Sequence, residues 1–170
     1  MADERRVVDP EEWVAAATAA RAEGYAYFDW LTAVDQTDAE PAGFDIVCHL
    51  FDIRRPGALR GLLLTTRLPA GRPLPSLTAV FAGCAWHERE THEMFGIDVT
   101  GFDDGSELGL RPLLLPDGFE GTPLRKDFVL AARVSKDWPG AKEPGQPHGG
   151  GPGRRKMQPP GVPDPEWGPR

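Results

Sequence analysis

Residues 86–128 read WHERETHEMFGIDVTGFDDGSELGLRPLLLPDGFEGTPLRKDF. The stretch opens on a dense charged run, Glu88-Arg89-Glu90 with Glu93, breaks at Gly96, and closes on Pro123-Leu124-Arg125-Lys126-Asp127-Phe128. Gly96 is a helix stop, because glycine takes the left-handed conformation of a C-terminal cap at no steric cost. A helix is therefore predicted over Cys84–Phe95. Trp86, Arg89, Glu90 and Glu93 fall along one side of it and Glu88, Thr91 and Phe95 along the other, so neither side is a clean apolar stripe. Arg89 and Glu93 are four apart and are predicted to pair, a contact of only ~0.2–0.5 kcal/mol on a solvated helix. Two uses of these charges stay open. The helix is either solvated with local ion pairs, or clamped between its own fold and another subunit, where each desolvated charge needs a partner. Arg125-Lys126-Asp127 is likewise either an ordinary loop or a strap whose Arg125 grips buried carboxylates, its own or a partner's. Between the two ends, Asp117-Gly118 and Glu120-Gly121 are turn signals, and little regular structure is predicted over 98–128.

Upstream, Asp9-Pro10-Glu11-Glu12 is a helix start: Asp9 as cap, Pro10 in the first turn, Glu12 reaching back. The helix should run through VAAATAARAE to Gly24, with Trp13 and Ala17 on one close-packing face. Residues 25–35 are aromatic and strand-like, and 36–43 form a polar loop. Residues 44–54 alternate as a half-buried strand, placing Phe44, Ile46, Cys48 and Leu50 on one side. Pro56-Gly57 turns the chain into a hairpin partner over 59–67, which makes the sheet antiparallel. Residues 68–75 read as a loop, and Ser76 is placed to cap a short helix through Phe81 that Gly83 ends. The fold class is α+β: a two-layer arrangement with a small, mostly antiparallel sheet and flanking helices, followed by an extended irregular C-terminal segment.

The chain has 170 residues, enough for one domain with a real core. Its net charge of −7 argues against a nucleic-acid partner, which needs a basic field. No apolar run approaches the ~20 residues that span a bilayer, and the start MADERRVVDPEEW lacks a secretory signal's apolar segment. Any membrane link is expected through partners only. Cys48 and Cys84 lie far apart with no C-x-x-C, so the chain cannot alone ligate an iron–sulfur cluster or a zinc ribbon. They read as buried reduced thiols. Beyond Pro139 just over half of the residues are Pro or Gly. Such a segment cannot bury enough surface to offset its ordering entropy, so 135–170 is read as a tail, disordered alone or wrapping a partner through Trp138, Met157, Trp167 and Arg154-Arg155-Lys156.

Catalytic signatures fail on geometry. His87 and His92 are five apart and diverge by about 140° around a helix, so they cannot share a metal as H-E-x-x-H histidines do. Glu88, Glu90 and Glu93 crowd one helix and do not face each other across a cleft as glycosidase carboxylates must. No dinucleotide glycine fingerprint, phosphate-binding loop or nucleophile elbow occurs. A stand-alone metal-independent hydrolase using His87, His92 and the glutamates is a distant alternative, motivated by their density alone.

The run E-R-E-x-x-E-M-F-G-I, Glu88 to Ile97, resembles the signature of the thirty-kilodalton subunit family of respiratory complex I, known in bacteria as the C subunit of NADH-quinone oxidoreductase. Residues 113–128 (LLLPDGFEGTPLRKDF) are similar to the same family's downstream run, and FDWLTAVD at 28–35 with the strand after it also fits. The resemblance covers roughly 24–134, within a domain set at 1–134. It implies a non-catalytic peripheral-arm subunit of a proton-translocating NADH:quinone oxidoreductase, a respiratory-chain translocase. Such a protein sits at the cytoplasmic side of the bacterial cell membrane. The whole complex uses FMN, iron–sulfur clusters, NADH and quinone, while this chain holds none of them and has no catalytic residue. It implies docking on the large forty-nine-kilodalton-type (D-like) subunit of the quinone chamber, beside other peripheral-arm subunits. Carried over residue by residue, Glu88, Arg89, Glu90, Glu93, Met94, Phe95 and Gly96 form the packed helix end. Pro123, Leu124, Arg125, Lys126, Asp127 and Phe128 form the strap against the neighbour. One stretch departs: the family has His or Lys and then a basic pair where Phe102-Asp103-Asp104-Gly105-Ser106-Glu107 stands here. That leaves open the equivalent subunit of a membrane-bound hydrogenase or of a complex lacking the NADH module.

Overall fold

A computed structural model describes residues 3–55 and 57–128. The predicted tail, with Trp138, Met157 and Trp167, lies outside them, as does Pro56 of the hairpin turn.

The centre is a four-stranded sheet in the order β1-β4-β3-β2. It is built from β1 (Glu4–Val8), β2 (Tyr27–Gln36), β3 (Gly43–Asp52) and β4 (Arg60–Pro69). β2 and β4 both run antiparallel to β3, as the short connections require, while β1 joins the far edge parallel to β4. The alternation read from the sequence sets the faces. Phe44, Ile46, Cys48 and Leu50 of β3, with Leu62, Leu64 and Leu68 of β4 and Leu31 and Ala33 of β2, are buried in one core. Trp13, Ala17 and Ala20 of helix α1 (Trp13–Glu23) cover them, as do Cys84, Met94 and Phe95 of helix α2 (Cys84–Phe95). Each fully buried leucine contributes about 1.5–3 kcal/mol.

Two short strands, β5 (Leu74–Pro75) and β6 (Val99–Thr100), pair in parallel and tie the segments on either side of α2. The rest of 101–128 consists of turns and bends.

Four details differ from the sequence reading. Strand β1 was not anticipated: ERRVV is short, charged and on an edge, where one neighbour suffices and no alternation is enforced. Asp9 does not cap α1 with its side chain; its carbonyl accepts the Glu12 N–H in a turn, and the helix begins at Trp13 with Glu12 at the cap position. Residues 68–75 are partly strand, since β4 continues to Pro69 and β5 follows. The short helix from Ser76 is absent. Leu77 O accepts both the Val80 and Phe81 N–H groups in a single turn, and the Ser76 hydroxyl that was to cap it is engaged by Glu88.

Candidate functional site

Helix α2 runs as predicted, from Cys84 to Phe95, and Gly96 closes it at φ +70°, its N–H donated to His92 O at 2.8 Å. A Cβ at Gly96 would also meet the Thr122 methyl at 3.0 Å. The position thus requires glycine both for its backbone and for the close passage of the returning chain.

The charges on α2 turn toward their own chain. Glu88 is wholly buried; its carboxylate accepts the Ser76 hydroxyl and the Leu77 N–H, each at 2.6 Å. Burial pushes its pKa above the ordinary carboxylate range, against the pull of these two bonds. Arg89 is buried as well. Its Nε donates to Arg111 O at 3.2 Å and its Nη2 to Pro112 O at 2.7 Å, while the guanidinium sits 5.7 Å from the Trp86 ring centre. Glu93 accepts three successive backbone N–H groups, from Leu113 (3.1 Å), Leu114 (2.7 Å) and Leu115 (3.0 Å). Burial pulls its pKa up, but the three N–H donors and the nearby Arg89 outweigh it and hold the carboxyl below its usual range.

The expected Arg89–Glu93 pair is therefore replaced. Both side chains reach the backbone of 111–115, where a carboxylate meets three donors and a guanidinium meets two acceptors. Such charge-assisted bonds are stronger than an exposed ion pair. Glu88 has no surface to offer any partner. Glu90 stays half-buried, and Met94 and Phe95 are core.

The closing run is tied down too. Leu124 N–H donates to Met94 O at 3.0 Å. Lys126 N–H donates to the buried Asp35 at 2.8 Å, and Lys126 Nζ pairs with Asp38 at 2.6 Å. Arg125 sits 5.6 Å from the Phe44 ring centre and donates from Nε to Asp127 at 3.2 Å. Pro123 is half-buried and Phe128 packs near Phe119, 6.1 Å between ring centres. Residues 101–128 thus form an arm with almost no secondary structure, held in place from α2 and β2. Asp35 and Ser76 were missed as anchors by the sequence reading. The inward position of Asp35 on an apolar strand was the signal available for it.

His87 and His92 point apart: each uses Nδ1 on a backbone carbonyl, Leu31 O at 3.1 Å and Ile97 O at 3.0 Å. Among the described residues no three His, Cys, Asp or Glu side chains converge on a position that could hold a metal ion. Cys48 and Cys84 are buried free thiols whose pKa values desolvation drives up, the opposite of a ligating thiolate.

The family described as respiratory-chain NADH dehydrogenase, 30 Kd subunit, matches residues 6–134. This chain belongs to that family. Its relatives include the C subunit of the NADH-quinone oxidoreductase of Sinorhizobium medicae, 40% identical over 111 residues, 65% of this chain and 51% of the relative. The equivalent C subunit of a Methylobacterium species is 37% identical over 131 residues, 75% of this chain and 57% of the relative. The chain spans about half the length of the curated relatives it matches. Among solved structures, the trypsin-resistant fragment of Nqo5 is similar with a TM-score of 0.51 at 20% identity, over 59% of this chain and 80% of that one. A chain of the membrane-bound sulfane sulfur reductase, an archaeal respiratory membrane complex, is similar with a TM-score of 0.57 at 22% identity, covering 77% and 75%. These two likenesses speak for the α+β fold.

Proposed function

We propose that this chain is a non-catalytic peripheral-arm subunit of a proton-translocating NADH:quinone oxidoreductase. It docks on the large quinone-chamber subunit and binds no flavin, cluster, metal or quinone itself. It works at the cytoplasmic face of the cell membrane and reaches the membrane through its partners. No helix among the described residues is long and apolar enough to cross a bilayer.

One observation carries the reading. Two charged groups of α2, Arg89 and Glu93, are spent on fixing the backbone of 111–115, and a third, Glu88, on Ser76 and Leu77. Charges arranged this way hold a surface in shape. A subunit of this kind contributes by keeping the chamber walls in register, so that electron-transfer distances and the quinone path stay fixed.

The test is affinity purification of the full chain from its own host under mild detergent, with the co-purified proteins identified and the cofactor content measured. The expected result is a membrane complex containing the large quinone-chamber subunit, while the chain alone shows no stoichiometric flavin, cluster or metal. A cofactor bound by the chain alone, or turnover of any compound by it, would overturn the proposal. Recovery with a hydrogenase or without an FMN-bearing subunit would move the chain to the corresponding related assembly.

A further inference from the structure

Between the C-terminal end of α2 and the arm lies an open groove of about 380 Å³. His92 and Gly96 form one wall; Leu110, Leu115 and Phe119 of the arm form the other. Its shape does not depend on regular structure. Glu93 fixes the N–H groups of 113–115 under the groove, and Arg89 fixes the carbonyls of Arg111 and Pro112 beside it. A surface held this way loses little freedom on binding, which removes a main cost of association.

The arm turns four large apolar side chains outward among its charged ones. Leu108 is 70% exposed, Leu114 60%, Leu124 52% and Phe119 40%, and Trp86, joined to the arm through Arg89, is 63% exposed. Single exposed apolar residues need no explanation, but four on one pinned segment do. The stretch ahead of the arm's closing Arg125 and Lys126, which pair with Asp127 and Asp38, is one-sided in charge. Residues 98–121 carry six carboxylates (Asp98, Asp103, Asp104, Glu107, Asp117 and Glu120) and one base, Arg111. That base is already paired, its Nη1 lying 2.7 Å from Asp104. Asp117 lines the groove, Glu120 follows the lining Phe119 in sequence, and Glu107 is exposed on the same arm three residues before the lining Leu110.

We infer that this groove and its rim dock a basic, partly apolar surface of a neighbouring subunit, with lysine or arginine side chains set beside the apolar ones that enter the groove. The inference deepens the subunit reading above and rests on it. An apolar centre within a charged rim is the usual build of a protein interface, and the rim's sign selects a partner of opposite sign. An acidic surface would meet uncompensated like charges here and be rejected.

The test uses the assembled complex containing the full chain. Zero-length carbodiimide joins carboxylates to lysines in direct contact, and peptide mass spectrometry locates the junctions. Bonds from Glu107, Asp117 or Glu120 to lysines of a neighbouring subunit are expected. The triple variant E107K/D117K/E120K should lower the amount of chain in the assembly by about tenfold or more. The isolated variant should melt as the wild type does, and the matched reversal D9K/E12K/E40K should assemble normally. Wild-type assembly by the rim triple variant, or an assembled complex with no junction from these three carboxylates, would overturn the docking surface alone. A wild-type chain found in no larger assembly would sink the subunit reading, and this surface with it.

Discussion

Glu93 holds Leu114: the carboxylate Oε2 accepts the Leu114 N–H at 2.7 Å, and Oε1 accepts those of Leu113 and Leu115 on either side. One helical side chain thus accepts from three consecutive N–H groups, which a single strand partner, pairing every second residue, would not do. Glu93→Ala removes all three acceptors at once. Hydrogen bonds to a charged group contribute about 1.5–3 kcal/mol each, but residues this near the surface recover water. The expected loss is about 2 kcal/mol in urea unfolding, with amide exchange at 113–115 accelerated well ahead of exchange in β3. Unchanged exchange at those three amides would show that the clamp does not hold the arm.

The same carboxylate sets an acid limit on stability. Glu93, Asp35 and Asp104 are all held below the ordinary carboxylate range. Asp104 is lowered to about 2, chiefly by the Ser106 hydroxyl and then by Arg111. For Asp35, burial works upward and is outweighed by the Thr37 hydroxyl and the N–H groups of Lys126 and Thr37. A depressed folded-state pKa gives stability that is full above the unfolded value, about 4, and is lost as pH falls through the folded one. The contribution of these three groups should therefore hold from pH 7 to about 4.5 and be lost toward pH 2, so urea midpoints should decline over that acid range, and Asp104→Asn should flatten the lowest part of the decline. A midpoint independent of pH below 4 would contradict the assigned bonds.

Helix α2 was legible because its ends are local: Gly96 and the charge pattern lie within one turn of the boundary they set. The β3–β4 hairpin was legible because Phe44, Ile46, Cys48 and Leu50 alternate without interruption. The partners of Glu88, Arg89 and Glu93 were not legible, since they lie 11 to 23 residues away and are mostly backbone groups. A sequence displays an acid and a base four apart, but not the path of an irregular segment that offers three N–H groups at once. Ser76 failed as a helix cap for the same reason. Its hydroxyl donates to the distant Glu88 carboxylate while its oxygen accepts the Thr78 N–H, which closes a local turn and not a helix.

Glu88 titrates in the opposite sense to Glu93. Its pKa is raised by burial, so the folded state favours the protonated form, and its contribution to stability falls as pH rises from the usual carboxylate range through the raised value. Glu88→Gln mimics the protonated acid: its oxygen can accept the Leu77 N–H and its amide can donate to Ser76 Oγ. That variant is expected within about 1 kcal/mol of wild type and with a flatter pH dependence above the ordinary carboxylate range. Glu88→Ala leaves the buried Leu77 N–H unpaired and the Ser76 hydroxyl with Thr78 alone, beside a new cavity, at a cost of about 3 kcal/mol. The pair of variants separates the hydrogen bonds from the charge. Equal destabilisation by Gln and Ala at all pH values would mean that the negative charge itself is what the site requires.

Arg125 lies where the arm rejoins the sheet, its guanidinium against the Phe44 ring and its Nε on Asp127, with about a third of the side chain still exposed. The contact with Phe44 is worth about 0.5–1 kcal/mol, too little for its loss to unfold the chain. The exposed part of the planar fork remains available to a carboxylate or a carbonyl of a neighbour. Arg125→Ala should therefore lower the amount of assembled complex more than the turnover of each complex that does assemble. Arg125→Lys should recover only part of the loss, since a point charge does not replace the fork. Native gels quantify assembly, and quinone reduction normalised to assembled complex gives turnover. Normal assembly with lost turnover would place this residue, and with it the chain, in contact with the chemistry.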